Sequence, residues 1–262
     1  MDFGIPVLIE NKNINENINL CKKLGLNFVE LNMNLPEYQV HYLENTGYFR
    51  ELAENAGIYF TIHLDENLNI ADFNKSVSDA YLETVKRTIK AAKLLDVPVI
   101  NMHINHGVYF TLPDRKVYLF KEYFKEYTEK FQEFCKLCEE CTGTDNIKIC
   151  IENTDGFKDY EKTVIEMLLE SDVFALTWDI GHSNACQDID EEFIIQHKDK
   201  LKHFHIHDSC GRKDHMALGT GEIDLKSRME IARKHKCRCV IETKTAKALE
   251  ESVLWLRKNF IF

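Results

Sequence analysis

The sequence lacks the segments that attach a protein to a membrane or divide it into parts. No run of about 18 apolar residues occurs among its 262 residues, so no transmembrane helix is predicted. The first residues have neither the basic nor the apolar region of a signal peptide, and we therefore expect a cytoplasmic protein. Proline occurs only 4 times, and no stretch rich in proline, glycine and serine separates two halves. We expect residues 1–262 to form a single domain.

A disulfide framework is also not expected. The 9 cysteines are an odd number in a chain without a secretory signal. Cys135, Cys138 and Cys141 have the spacing of metal ligands, but they fall within a predicted helix, whereas zinc and cluster ligands usually lie on turns. We interpret these three cysteines as packing residues.

Positive charge is scarce. The chain has 33 Lys and Arg against 43 Asp and Glu, which gives a net charge of −10. Phosphate backbones are normally bound by a basic face, so the charge disfavours a nucleic-acid partner.

Short apolar runs alternate with longer amphipathic segments along the whole chain. Near-continuous apolar runs are typical of buried parallel strands, and we predict such strands at 4–10, 28–34, 59–64, 97–105, 147–153, 174–182, 201–208 and 237–244. The spacing of apolar residues predicts helices at 15–24, 77–95, 115–141, 159–169 and 246–259. Eight strands alternating with helices indicate an α/β fold, a single (β/α)8 TIM barrel. An open doubly wound sheet would need a glycine-rich loop after the first strand, and residues 10–13 contain no glycine.

Six consecutive predicted strands end in histidine or a carboxylate, and in a barrel these ends meet at one rim. The residues are His63, His103, Glu152, Asp179, His205 and Glu242. Such groups are costly to bury beside apolar runs unless they are paired, and a cation would neutralise the carboxylates and bind the imidazoles. The sequence therefore predicts a metal site. His203, His205 and His207 share one face of their strand, with His203 deeper and His207 at the rim, while Trp178 faces the helices.

These motifs resemble those of the xylose isomerase-like barrel superfamily. The superfamily includes sugar and sugar-phosphate isomerases and epimerases, inosose dehydratases, and apurinic-site endonucleases of the endonuclease IV type. The resemblance lies in the segments Glu152-Asn153-Thr154-Asp155-Gly156, Asp179-Ile180-Gly181-His182-Ser183-Asn184, His205-Ile206-His207-Asp208, 214–224 and Ile241-Glu242.

The resemblance to the isomerases and epimerases implies one divalent ion held by Glu152, Asp179, His205 and Glu242. Glu152 and Glu242 would also be the catalytic acid and base, which move a proton through an enediolate, and His182 would contact the substrate oxygens. The substrate would be a small sugar, polyol or sugar phosphate. Mixed oxygen and nitrogen ligands suit Mn²⁺ or Zn²⁺, with Co²⁺, Fe²⁺ and Mg²⁺ as alternatives. A homodimer is expected from the habit of the family.

The resemblance to the endonucleases supplies an alternative function, a zinc-dependent phosphodiesterase that acts on abasic DNA. His63, His103, His182 and His215 then become ligands of additional ions, and otherwise they are substrate-binding residues. That family places an aspartate where this chain has Lys213, which should weaken a third ion. A barrel that only binds sugar or serves as a scaffold is disfavoured because all four ligands of the central ion are present.

Three segments at the predicted rim leave alternatives open. Residues 105–116 form either a lid over the substrate or a loop that caps the next helix. Gly219-Thr220-Gly221 either presents backbone N–H groups to an anionic or hydroxyl group or forms a plain turn. Arg212, Lys213 and His207 are further candidate substrate-binding residues.

Overall fold

The computed structural model describes residues 1–260, and every predicted strand is present in this part of the chain. The strands are β1 (Asp2–Pro6), β2 (Phe28–Asn32), β3 (Tyr59–His63), β4 (Val99–His103), β5 (Tyr109–Thr111), β6 (Lys116–Tyr118), β7 (Lys148–Glu152), β8 (Phe174–Asp179), β9 (Leu201–Ile206), β10 (Asp208–Cys210), β11 (Lys213–Met216) and β12 (Arg238–Ile241).

Eight of these strands close into a parallel barrel in the order β1-β12-β9-β8-β7-β4-β3-β2. The other four form two antiparallel hairpins, β5 with β6 and β10 with β11. The hairpins lie in the connections that follow β4 and β9, at the carboxyl end of the barrel. The predicted α/β fold, a TIM barrel, is confirmed.

Helices fill the connections between the barrel strands. They are α1 (Ile14–Lys23), α2 (Val40–Leu43), α3 (Thr46–Ala56), α4 (Lys75–Leu94), α5 (Leu119–Glu122), α6 (Phe124–Thr142), α7 (Asp159–Leu169), α8 (Ile180–Ala185), α9 (Glu191–Gln196), α10 (Leu225–Lys234) and α11 (Ala246–Asn259). Several begin at a side chain that accepts a backbone N–H bond, namely Asn13, Asn74, Asp179, Asp224 and Thr245. Within residues 1–260, no helix combines the length and apolar character needed to cross a bilayer.

The main core lies between the outer face of the barrel and the helices. Trp178 on β8 is fully buried there; its indole N–H donates to Ser183 Oγ at 2.8 Å, and Arg228 of α10 lies over its ring. Trp178 thus packs toward the helices, as its position in the strand predicts. Cys138 on α6 is buried in the same core, and the candidate metal-binding groups of the described residues contain no cysteine.

Several predicted element boundaries were inaccurate, and two of the differences have a clear physical cause. The predicted strand 174–182 ends at Asp179, because the Asp179 side chain accepts from His182 N at 2.7 Å and begins α8. The predicted helix 115–141 begins late, because Lys116–Tyr118 pairs with Tyr109–Thr111 and helical structure starts only at α5. Aromatic and β-branched residues on both sides of the turn favour this pairing.

Candidate metal centre at the barrel mouth

Side chains at the carboxyl ends of the barrel strands meet because the strand register aligns them. His103 lies opposite Glu152, and Asp179 lies opposite His205. Alternate residues of a strand face the same side, so these side chains point into the barrel. Glu242 follows the last residue of β12 and joins them at the same level.

Four of these residues form the tightest cluster. Glu152, Asp179, His205 and Glu242 each offer one ligand atom, and these atoms lie within 4.8 Å of one another. His205 Nδ1 is 3.0 Å from Glu152 Oε1, 3.0 Å from Glu242 Oε2 and 3.9 Å from Asp179 Oδ2. Three carboxylates therefore converge on one imidazole nitrogen.

The imidazole of His205 is fixed from below by Glu30. His205 Nε2 lies 2.8 Å from Glu30 Oε1, and a carboxylate only accepts hydrogen bonds, so Nε2 carries a proton. In the neutral ring the lone pair of Nδ1 then points at the three carboxylates. Pairing of this kind sets the tautomer and orientation of metal-ligating histidines.

The cluster requires positive charge at its centre. Burial opposes protonation of His205, yet the charges of Glu152, Glu242 and Glu30 outweigh burial and hold the pKa of the imidazole well above its usual value. Burial would likewise raise the pKa of the Glu152 carboxyl, but His205 and His103 hold it well below its usual range. Glu242 Oε2 is buried and receives no hydrogen bond. A donor set of three carboxylates and one imidazole, with one oxygen left free, fits a divalent cation.

A second polar layer supports the cluster one residue pair deeper in the barrel. It consists of Glu30, Thr61, Asn101, Thr177 and His203. Thr61 Oγ1 and His203 Nε2 donate to Glu30 Oε2 at 2.8 and 2.9 Å. Thr177 Oγ1 donates to Asn101 Oδ1 at 2.5 Å, and the Asn101 amide donates to Glu152 Oε2. His203 is therefore a deeper residue, as predicted, and the network orients both Glu152 and His205.

Two further histidines face the other oxygen of Glu152. His63 Nε2 and His103 Nε2 lie 3.3 and 3.2 Å from Glu152 Oε2. His63 Nδ1 is 2.7 Å from Leu64 O, and because a carbonyl only accepts, Nδ1 carries the proton and Nε2 is left toward Glu152. This arrangement offers either a second cation position or two contacts for a substrate.

His182 and His215 lie on the opposite side of the cluster. His182 Nδ1 is 3.3 Å from Asp179 Oδ2 and 3.7 Å from Glu152 Oε1. His215 Nε2 is 3.7 Å from Glu242 Oε1. Both rings are partly exposed to the mouth, so both can reach a bound molecule.

His207 has a different environment from the rim position predicted for it. The residue is fully buried, its Nδ1 accepts from His215 N at 2.8 Å, and its Nε2 lies 3.0 Å from Asp179 Oδ1. Nδ1 must be unprotonated to accept, so Nε2 carries the proton and donates to Asp179. His182, His207 and His215 lie close enough together to hold a metal ion. Both ring nitrogens of His207 are engaged in these hydrogen bonds, however, so His207 has no lone pair free to bind one. His207 orients Asp179.

The residues next to the ligands in the sequence hold the ends of β7 and β8 together. Asn153 Oδ1 accepts from Asp179 N at 2.9 Å, and its amide donates to Asp179 O at 2.9 Å and to Ser183 Oγ at 3.1 Å. Gly181 leaves the space that His207 occupies, because a Cβ at this position would overlap the imidazole ring.

We expect Gly181→Ala to lower the free energy of unfolding by about 1–3 kcal/mol, because the added methyl group displaces His207 in a close-packed site. Urea unfolding of the two proteins measures the difference. Gly47→Ala on α3 is the matched control, because a Cβ there meets no atom within 4 Å. We expect the control to be neutral or stabilising, since alanine favours helix. Equal destabilisation in both variants would contradict this account of Gly181.

A cavity of about 790 Å³ opens above the cluster. Its walls contain six of the predicted site residues, namely His63, His103, Glu152, His182, His215 and Glu242. Asp179, His205 and His207 are fully buried and do not line it. The part of the wall formed by the hairpin and by the loop after β12 contains Tyr109, Lys116, Tyr118 and Lys244. Neither Lys116 nor Lys244 was individually predicted from the sequence.

The two basic residues predicted to contact substrate lie elsewhere. Arg212, at the turn between β10 and β11, lines a neighbouring cavity of about 900 Å³ that shares only Asp155 with the mouth cavity. Lys213 is exposed on β11 and lines neither cavity. A contact of either residue with a substrate at the mouth remains a prediction.

The segment Gly219-Thr220-Gly221 forms a turn around a buried carboxylate. Asp208 Oδ2 accepts from Gly219 N and from Gly221 N, each at 2.9 Å, and Asp208 Oδ1 accepts from Ile223 N at 3.3 Å. These amides are already paired within the protein. The turn is therefore structural, and the interpretation as an anion site finds no support in the hydrogen bonds.

The predicted lid segment forms the β5–β6 hairpin, which is tied to the barrel at its base. His106 Nδ1 lies 2.5 Å from Glu161 Oε1, and its Nε2 contacts Asp155. Tyr160 OH donates to His106 O at 2.9 Å. Gly107 packs against Phe120 so closely that a Cβ would overlap the ring. These contacts place the hairpin at the cavity wall, and its closure over a substrate remains a prediction.

We expect the contribution of His106 to stability to fall as the pH rises. Burial opposes protonation of His106, but the hydrogen bonds and charges of Glu161 and Asp155 outweigh it and raise its pKa above the usual value of about 6.5. A raised pKa in the folded state contributes stability that is complete below about pH 6.5 and is lost as the pH passes the folded-state pKa.

The difference in unfolding free energy between the wild type and His106→Gln, measured in urea, should therefore be larger at about pH 6 than at about pH 9. Groups that titrate equally in both proteins cancel in the difference. A difference that is constant or grows with pH would show that His106 is not held as a cation.

Glu30 is the most consequential residue that sequence reasoning missed. It is 2% exposed inside the apolar run of β2, where an isolated carboxylate is costly to bury without a partner. A carboxylate inside an apolar run could have indicated that Glu30 has a buried partner, but nothing in the sequence identifies His203 and His205 as the partners of Glu30.

Comparison with known proteins identifies the family to which the fold belongs. A profile described as xylose isomerase-like TIM barrel matches residues 18–259. The chain belongs to this family. Among curated proteins, this chain is similar to the uncharacterized protein MJ1614 of Methanocaldococcus jannaschii. The two are 26% identical over 184 residues, which cover 68% of this chain and 67% of the relative.

Two solved structures share the fold. A D-tagatose 3-epimerase-like protein has a TM-score of 0.77 and 24% identity, covering 98% of this chain and 96% of the other. The IOLI protein with a bound zinc atom has a TM-score of 0.73 and 15% identity, covering 98% and 96% of the two chains.

Proposed function

We propose that the protein is a divalent-metal-dependent isomerase or epimerase of a sugar or sugar phosphate. The observation that carries the proposal is the placement of Glu152 and Glu242. Each carboxylate lies 3.0 Å from His205 Nδ1, and both line the mouth cavity. Two carboxylates at one reacting centre can remove a proton and return it at another position.

The two glutamates have unequal surroundings, which suggests different roles. Glu152 Oε2 accepts from Asn101 and lies close to His63 and His103, so this carboxylate is held in place. Glu242 Oε2 receives no hydrogen bond. We assign Glu242 the removal of the proton from a C–H bond next to the carbonyl. Glu152 takes up a proton from solvent water and passes it to the enediolate, while Glu242 releases the proton that it removed to solvent. His182 contacts the substrate oxygens.

The ligands Glu152, Asp179, His205 and Glu242 suit Mn²⁺ or Zn²⁺ best, and Co²⁺, Fe²⁺ and Mg²⁺ are alternatives. When bound, such an ion would stabilise the negative charge that develops on the substrate oxygen. The fold shared with a zinc-binding protein and with an epimerase-like protein supports this proposal.

Solvent exchange tests the proposal. Metal-loaded protein is incubated in D2O with a panel of ketoses, aldoses and their phosphates, and proton NMR follows each C–H signal. We expect one C–H of at least one panel member to exchange, and the exchange to stop after treatment with a chelator. Absence of exchange across the panel, with metal bound to the protein, would contradict the proposal.

A second candidate function is a zinc-dependent phosphodiesterase that acts on abasic DNA. It is favoured by His63 and His103, which both face Glu152 Oε2, and by Asp214 Oδ1, which lies 2.9 Å from His215 Nδ1. The exposed Lys213 and the net charge of −10 count against it. Chelator-sensitive cleavage of an abasic duplex would support it, and a lack of duplex binding would exclude it.

A further inference from the structure

We infer that the substrate carries an anionic group, a phosphate or a carboxylate, and that Lys244 and Lys116 select it. The inference rests on the proposed function and narrows its substrate class. The two lysines come from different elements, the loop after β12 and strand β6, and both line the mouth cavity.

Lys116 is a cation without a carboxylate partner among the described residues. Its Nζ lies 4.4 Å from the centroid of the Tyr109 ring, which belongs to the paired strand β5 of the hairpin. The contact holds the ammonium at the cavity wall but leaves its charge uncompensated. Because the protein as a whole carries a charge of −10, an anionic molecule needs such local positive charge to bind.

Lys244 lies at the edge of the metal cluster. Its Nζ is 2.8 Å from Glu242 Oε1, yet the side chain remains 59% exposed. Glu242 is also a proposed metal ligand, so its single charge would be shared between the ion and the lysine. The ammonium therefore has hydrogen-bond donors left for a second anionic group.

Two other carboxylates of the mouth, Glu152 and Asp155, already have partners, whereas Glu66 also lines the mouth and is exposed to solvent. Glu152 is surrounded by Asn101 and four histidines, and Asp155 contacts His106. Lys116 and Lys244 are thus not needed to neutralise them. A neutral sugar would leave Lys116 without a counter-charge and Lys244 with Glu242 as its only ion-pair partner among the described residues.

A side cavity of about 190 Å³ next to Lys244 supplies space for the group. It shares Glu66, Glu242 and Lys244 with the mouth cavity. Thr243 also lines it, and the buried Thr243 Oγ1 has no hydrogen-bond partner. A phosphate or carboxylate oxygen would satisfy this hydroxyl.

Binding of sugar analogues that lack an aldehyde or ketone group, and so cannot turn over, tests the inference. We would measure dissociation constants of D-arabitol, D-arabitol 5-phosphate and D-arabinonate for the metal-loaded protein by calorimetry. We expect at least one anionic ligand to bind about 10-fold or more tightly than arabitol, because hydrogen bonds to charged groups contribute that much. The anionic ligand whose affinity exceeds that of arabitol by the larger factor identifies the substrate as a phosphate ester or a sugar acid.

Lys244→Met and Lys116→Met should each reduce this preference severalfold and leave the affinity for arabitol unchanged. Lys258→Met, which removes an exposed lysine at the end of α11, is the control for net charge and should keep the preference.

Equal affinity for all three ligands would overturn the inference and leave the proposed function standing. A preference that survives both mouth substitutions would overturn the assignment to these lysines, as would an equal loss of arabitol binding in Lys244→Met. If the metal-loaded protein binds none of the three ligands, the proposed function fails, and the inference fails with it.

Discussion

Glu152→Gln is expected to lose the bound metal and to lower kcat for sugar isomerisation by about 10³-fold or more. Glu152 contributes one oxygen to the four-ligand cluster and is also the proposed proton donor. The amide has no charge to balance His205, whose Nδ1 lies 3.0 Å from Glu152 Oε1. Elemental analysis of the purified variant and the rate of C–H exchange measure the two effects.

The control for this prediction is Glu192→Gln, which makes the same chemical change at an exposed position on α9. It should keep both metal and activity. Circular dichroism shows whether Glu152→Gln is folded, because loss of one partner from a buried ion pair can cost about 3–5 kcal/mol. A folded Glu152→Gln protein with full metal content and activity would contradict the assignment.

Glu30→Gln is expected to weaken metal binding by about 10- to 100-fold, although Glu30 is not a proposed ligand. Its carboxylate accepts from His205 Nε2 at 2.8 Å and from His203 Nε2 at 2.9 Å. A glutamine offers only one acceptor oxygen for these donors, so the tautomer and orientation of His205 are no longer fixed. Titration of the metal-free protein with Mn²⁺ or Zn²⁺ measures the affinity.

Glu161→Gln separates this effect from a general loss of stability. Glu161 is equally buried and also accepts from a histidine, His106, but it lies outside the metal cluster. We expect it to lower stability and to leave metal affinity unchanged. If Glu30→Gln and Glu161→Gln weakened metal binding by the same factor, the proposed role of Glu30 in orienting the ligand His205 would be refuted.

The barrel could be predicted from the sequence because parallel strands buried on both faces leave a distinct pattern. The ends of the strands were predicted less accurately, because polar residues that follow the last apolar residue are also compatible with an extended strand. At Asp179 the strand ends only because the side chain accepts from His182 N and begins α8. The β5–β6 hairpin was missed because residues 116–118 also fit the apolar spacing of the following helix. Only their pairing with Tyr109–Thr111 distinguishes the two.

The candidate ligands could be located because barrel topology brings the strand ends to one rim. The residues that orient them could not, because their partners are distant in sequence: Glu30 lies 173 residues from His203 and 175 from His205. The basic residues that line the mouth also could not be identified from the sequence. A turn carries Arg212 to another cavity, while the loop after Glu242 and the hairpin bring Lys244 and Lys116 to the mouth.

Metal content per chain, measured by elemental analysis of the wild type, Glu152→Gln and His215→Ala, tests the central claim most directly. We predict about one divalent ion per chain in the wild type, lost in Glu152→Gln and retained in His215→Ala. Two or three zinc ions per chain, with one lost in His215→Ala, would contradict the single-ion site and favour the phosphodiesterase.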